Sequence, residues 1–170
     1  MRSAQVLASS LLAAMGSLGA AQSDGDERAM REHVYMVAKI ASGFVSFAGC
    51  EENAIALVES LRKGVAVNLG YPGPTPEEPP IVVPFEPPTS PMDWHDVRMS
   101  LMLARDALTG YGVLRPSGRQ LHAALVGGEV AVPGARTVAF TGVLRMRADG
   151  QSWGRIASER FQRREVSRVE

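Results

Sequence analysis

The densest cluster of side chains able to do chemistry is Asp93-Trp94-His95-Asp96. Two carboxylates beside an imidazole are the groups that general acid–base catalysis or a divalent metal would use. Their spacing argues against both. At the start of a helix Asp93 and Asp96 lie on one side, while His95 points elsewhere. A metal needs three or more convergent ligands. Each acid has a simpler use, Asp93 as an N-cap and Asp96 as a favourable charge in the positive first turn. Helix capping is the preferred reading, and a small hydrolase built on the Asp93–Asp96 region is its rival.

The other reactive types are scattered. His33 and His122 are single histidines on predicted helices, where surface or partly buried placement is expected. Cys50 is the only cysteine, so the chain has no internal disulfide and relies on its core. Phe47-Ala48-Gly49-Cys50 is similar to a lipoprotein acylation site, but it lies too deep in the chain and has Phe where Leu is usual. Cys50 is expected instead to open a helix in place of Ser, with Glu51 and Glu52 in its first turn. The chain contains no Gly-x-Ser-x-Gly elbow, no His-Glu-x-x-His, no phosphate loop and no dinucleotide fingerprint. No catalytic, cofactor-binding or metal-ligating residue is assigned, and no cofactor is expected.

Arg155, Arg160, Arg163, Arg164 and Arg168 follow a segment, 147–157, that looks like the opening of a recombinase-type helix-turn-helix. Those arginines could contact phosphates. No turn glycine and second helix follow, and Glu159, Glu165 and Glu170 dilute the charge. Nucleic acid is therefore not the expected partner.

Residues 1–21 read as a secretory signal peptide: Arg2, the uncharged run Val6–Met15, then Gly19-Ala20-Ala21 before the polar run from Gln22 to Glu27. Removing them from 170 residues leaves 149 with 17 basic and 18 acidic side chains, a net charge of −1. That is enough chain for one domain, and near-neutrality gives no general pull toward nucleic acid or anionic lipid. The apolar run is short and broken by Gly16 and Gly19, so no membrane span is expected in the mature chain.

Periodicity supplies the elements. Met30, Val34, Val37, Ile40 and Ala41 predict a helix from Asp26 to about Ser42, and Ala54, Leu57, Val58 and Leu61 another over Glu51–Lys63 with Gly64 as its stop. Val65–Leu69 and Ile81–Phe85 read as paired strands, Pro84 confining the second to an edge. The proline-rich stretch 70–91 between and beyond them reads as a stiff exposed loop. Pro76-Glu77-Glu78-Pro79 has P-x-x-P docking spacing but no flanking basic residues. The apolar breadth of Trp94 to Thr109 predicts the central helix. Ser117 and Gln120 stand at capping-box spacing before a helix that ends at Gly127-Gly128. Glu129–Val132 and Thr137–Phe140 form a second hairpin about Pro133-Gly134, and two short helices follow, Gly142–Ala148 and Trp153 to about Arg163. A charged tail occupies about 160–170.

The two halves share an order of parts. Leu57, Leu61, Gly64, a strand pair, Trp94 and Val97 match Leu121, Leu125, Gly128, a strand pair, Trp153 and Ile156. Asp93 and Ser152 precede the tryptophans as cap residues. The expected fold is α+β, two helix–β-hairpin–helix units whose four strands form one small antiparallel sheet packed by helices. Both tryptophans should then be largely buried at equivalent helix starts. The alternative is that they anchor an exposed binding patch.

Several segments together resemble a family of uncharacterised exported bacterial proteins. They are Glu52-Asn53-Ala54, Leu57-Val58, Leu61-Arg62-x-Gly64, Met92-x-Trp94-x-x-Val97, Gln120-Leu121-x-Ala123-Ala124-Leu125-x-Gly127-Gly128, Gly142-Val143-Leu144 and the stretch 147–157. The resemblance spans about residues 49–158. The chain departs from it at Asp93 and His95, where glycine is usual, and at Cys50, where serine is. It implies export and this fold, assigns no activity, and warns against building chemistry on those three positions. The expected function is a non-enzymatic periplasmic or secreted domain that binds a protein or cell-envelope partner.

Overall fold

The computed structural model describes residues 15–73, 75, 77–134 and 137–159, with side chains from residue 24 onward. The expected signal residues 1–14, Pro74 and Pro76 of the proline-rich loop, and the charged tail 160–170 lie outside the described residues. The chain is α+β, with helices α1 (Met15–Ser42), α2 (Val45–Ala48), α3 (Glu51–Lys63), α4 (Trp94–Thr109), α5 (Gly118–Val126), α6 (Val143–Ala148) and α7 (153–159). The strands are β1 (Val67–Tyr71), β2 (Ile81–Phe85), β3 (Gly128–Ala131) and β4 (Thr137–Phe140). Among the described residues no helix is long and apolar enough to cross a membrane.

The chain divides into two units, residues 1–36 and 37–170. The first is represented by the leading turns of α1, where Met30, Val34 and Tyr35 are all exposed. That helix begins at Met15 rather than near Asp26, taking in the polar run from Gln22 and the Gly19–Ala21 stretch. The second unit holds the core, which includes Val37, Ile40 and Ala41 at the end of α1.

Local chemistry fixes most element ends in the second unit. Cys50 caps α3, its sulfur accepting from the Asn53 backbone N–H at 3.5 Å. Gly64 ends that helix in the left-handed conformation (φ 67°), which a glycine adopts without a Cβ clash. Val65 still donates to the Ser60 carbonyl while its own carbonyl accepts from the Ser60 hydroxyl. The helix exit therefore absorbs Val65 and Ala66, and β1 starts at Val67 rather than Val65. Ser117 and Gln120 form the expected capping box at the start of α5.

The strands pair as two separate hairpins, not as the single sheet expected from the sequence. Leu69 faces Val83 in one, and Val130 faces Val138 in the other. The reason lies in α5, which packs against all four strands and against α2, α4 and α6. The hairpins thus pack on helices instead of on each other, β1 mainly on α3 and β3 mainly on α5. It is α5, and not the longer α4, that occupies the centre. Its Leu121, Ala124 and Leu125 are fully buried.

The join between α2, α3 and β1 rests on Asn53, a buried amide. Its Nδ2 donates to the Ala48 carbonyl at 3.0 Å and to the Gly70 carbonyl at 2.7 Å, and its Oδ1 accepts from the Gly70 N–H at 2.9 Å. Next in the strand, Tyr71 fits between two glycines. A Cβ on Gly49 would stand 3.1 Å from one edge of the ring, and a Cβ on Gly118 would stand 2.6 Å from the other.

Asn53→Ala would leave the buried Ala48 carbonyl and two part-buried groups of Gly70 without these partners. It should cost about 3 kcal/mol or more, read by urea denaturation. A loss under 1 kcal/mol would mean that water replaces the amide.

Candidate functional site

Helix α4 begins where the sequence places its reactive cluster. The Asp93 carboxylate accepts from the Asp96 N–H at 2.7 Å and is the N-cap. His95 is exposed. Asp96 is engaged elsewhere. One of its oxygens accepts from the Trp153 indole Nε1 at 2.6 Å, and the other meets the Arg147 guanidinium at 3.3 Å. The three residues of the expected cluster thus do three different things, and no open pair of carboxylates faces a common point. Among the described residues no group of three or more metal-ligating side chains comes together.

The tryptophans begin α4 and α7, each directly after its cap. Ser152 plays at α7 the part that Asp93 plays at α4, its hydroxyl accepting from the Arg155 N–H at 3.3 Å. Both indoles are mostly covered, as expected, but neither is fully buried. An arginine lies against each. The Arg62 guanidinium is 5.1 Å from the centre of the Trp94 ring, and the Arg147 guanidinium 5.0 Å from that of Trp153. Such cation–π contacts cover an aromatic face without removing it wholly from water. Arg62 is held in place by a bond to the Met92 carbonyl at 2.9 Å, and Arg147 by one to the Gln151 carbonyl at 3.2 Å. Because Asp96 lies in the first turn of the helix that Trp94 opens, its bond to Trp153 brings both Trp–Arg pairs to one end of α4.

The arginines were not singled out in the sequence as partners of the tryptophans. Arg62 lies 32 residues before Trp94, and no local pattern signals a contact at that range. Of the arginines read as phosphate contacts, Arg155 is paired with Glu159 at 3.0 Å, and the rest lie outside the described residues. His122 is partly buried, its ring edge-on to Phe85. Cys50 is partly exposed at its cap position, next to a second group with unusual surroundings. The Tyr71 hydroxyl is buried and has no hydrogen-bond partner among the described residues. Burial, and then the nearby Cys50 charge, push its pKa up to about 12. Comparison with family models, curated proteins and solved structures finds no match.

Asp93→Asn should leave stability nearly unchanged, because Asn caps as well as Asp, whereas Asp93→Ala should cost about 1 kcal/mol. Thermal melts of the two variants decide between a cap and any other role. Tyr71 should make the fold sensitive to alkali. In the unfolded chain its hydroxyl ionises near pH 10 and in the folded chain only near 12. Its contribution is complete below pH 10 and disappears as pH rises through 12. Tyr71→Phe should flatten the decline in stability over that window, measured by denaturant titration at each pH.

Proposed function

We propose that this chain is an exported, non-enzymatic domain that binds a protein or cell-envelope partner, within the resemblance to exported bacterial proteins noted above. The supporting observation is the end of α4, where the acids that could have served a hydrolase hold the fold together and two partly exposed indoles lie under guanidinium groups. Tryptophan and arginine are the side chains that most often dominate binding energy at protein interfaces, because they combine large apolar area with directional polar contact. In this reading residues 1–21 are removed on export, and the mature chain starts near Gln22. The two helix–hairpin–tryptophan segments are repeats of one ancestral unit, and the surface at their tryptophans is the contact face.

Photo-crosslinking tests the face. A benzoylphenylalanine in place of exposed His95 should give a discrete adduct with envelope extracts. The same group in place of Leu114, which is 71% exposed, should not. Leu114 lies beyond the far end of α4, a helix of 16 residues and about 24 Å. Adducts equally strong from both positions, or absent from position 95, would exclude this face. Intact-mass measurement of exported protein checks the mature start at Gln22.

A further inference from the structure

The β1–β2 hairpin has one edge closed and one open. In its ladder Asn68 faces Pro84 and Gly70 faces Val82. Pro84 has no N–H to give, so the hydrogen-bonded pairs are Val67–Phe85, Leu69–Val83 and Tyr71–Ile81. The polar groups of the residues between them point away from the partner strand. On β1 the outward groups of Gly70 are both taken by the Asn53 amide. On β2 the outward groups are the N–H and C=O of Val82 and the C=O of Pro84, and among the described residues β2 pairs with β1 alone. Val82 is 59% exposed and Ile81 48%, and no charged residue stands between Pro79 and Phe85. An apolar edge of this kind is a template for another strand.

We propose that the open edge of β2 pairs antiparallel with β2 of a second copy, about a two-fold axis at Val83, giving a four-stranded sheet. Proline blunts an edge against most strands, and here it restricts which strand fits. An incoming chain must offer carbonyls to the Val82 and Glu86 N–H groups and need no N–H from position 80 or 84. The β2 segment itself meets that condition. With Val83 facing the partner's Val83, Val82 lies opposite the partner's Pro84 and Glu86 opposite the partner's Pro80. Each copy then donates its Val82 and Glu86 N–H groups to the partner's two proline carbonyls, and the prolines serve only as acceptors. The side chains agree with this register. A Cβ on Gly118 would stand 2.6 Å from Val83, and the Phe85 ring is edge-on to His122, so the odd positions face α5. Pairing sets the exposed Ile81 beside the partner's Phe85 on that face. The two Glu86 carboxylates end up six positions apart along the strands, about 20 Å, and do not repel strongly. A five-residue edge is small beside the roughly 1,200 Å² of a stable interface, so the dimer is weak and forms only at high concentration.

Sedimentation equilibrium of the full chain from about 10 μM to about 1 mM should show a monomer–dimer equilibrium. Val82→Pro removes an outward N–H and no bond of the β1–β2 ladder. It should weaken the dimer about thirtyfold, the loss of one bond from each copy, and leave the melting temperature of the dilute monomer unchanged. Pro84→Val does the reverse, because the new N–H meets the partner's Val82 carbonyl, and should tighten the dimer by a similar factor. Amide exchange at Val82 and Glu86 should slow as concentration rises. If Val82→Pro also lowers the melting temperature of the monomer, Pro84→Val and the exchange rates carry the test. A monomer at every concentration, a dimer indifferent to Val82→Pro in a stably folded variant, or a dimer weakened by Pro84→Val would each overturn the pairing. So would a chain that stays monomeric while an added peptide of alternating valine and threonine slows exchange at Val82, since the edge would then take a foreign strand.

Discussion

The side-chain amide of Asn53 ties α3 to the end of α2 and to β1. A lone backbone strand edge at Gly70 has to satisfy its N–H and C=O, and the end of α2 has a carbonyl at Ala48 to satisfy. One amide does all three from the first turn of α3. The Ala48 carbonyl is buried and would otherwise be desolvated without a partner, while the Gly70 groups lie nearer the surface. An amide is suited to it because it both donates and accepts. A carboxylate of the same size could accept from Gly70 but not donate to it.

The consequences run outward through Tyr71. With Gly70 fixed, the tyrosine ring stands between Gly49 and Gly118, both close enough that a side chain in either place would press on the ring. Gly118 is the first residue of α5, so the ring sets how near that helix comes to β1. On the other side of α5, Gly142 (φ 84°) brings the chain back so tightly that a Cβ would stand 2.2 Å from the Val126 carbonyl carbon. The central helix is therefore located at both ends by backbone contacts that only glycine allows. This explains how nine residues can serve two hairpins and three other helices.

What could be read from the sequence divides along the same line. Features whose cause is local were legible. The caps at Cys50, Asp93 and Ser117, the stop at Gly64, the span of α4 and the strand β4 each follow from a few neighbouring residues. The four-residue α2 was missed because it is too short to show a period. The single sheet was expected because matching strand pairs suggested matching edges, and nothing in a strand's own sequence says that helices will take up its apolar side instead of a second strand pair. Asn53 looked like an ordinary polar residue in a first helical turn, since its partners lie at Ala48 and, 17 positions away, at Gly70. At the candidate site the spacing argument separated His95 from the two acids correctly. It could not find Trp153 as the partner of Asp96, 57 positions away.

The two tryptophans, so alike in their local setting, are not used alike. Trp153 gives its indole N–H to Asp96 and takes its arginine from Arg147, six positions earlier and just across a turn. Its surroundings join α4, α6 and α7, which is a structural task. Trp94 takes its arginine from α3, on the far side of the β1–β2 hairpin. Aligning Leu61 with Leu125 puts Val126 where Arg62 stands, so the second half has no counterpart of Arg62 and recruits a cation from α6 instead. Repetition alone therefore does not account for an arginine on each ring. Two different arrangements reached the same contact, and in only one of them is the charge neutralised by a carboxylate.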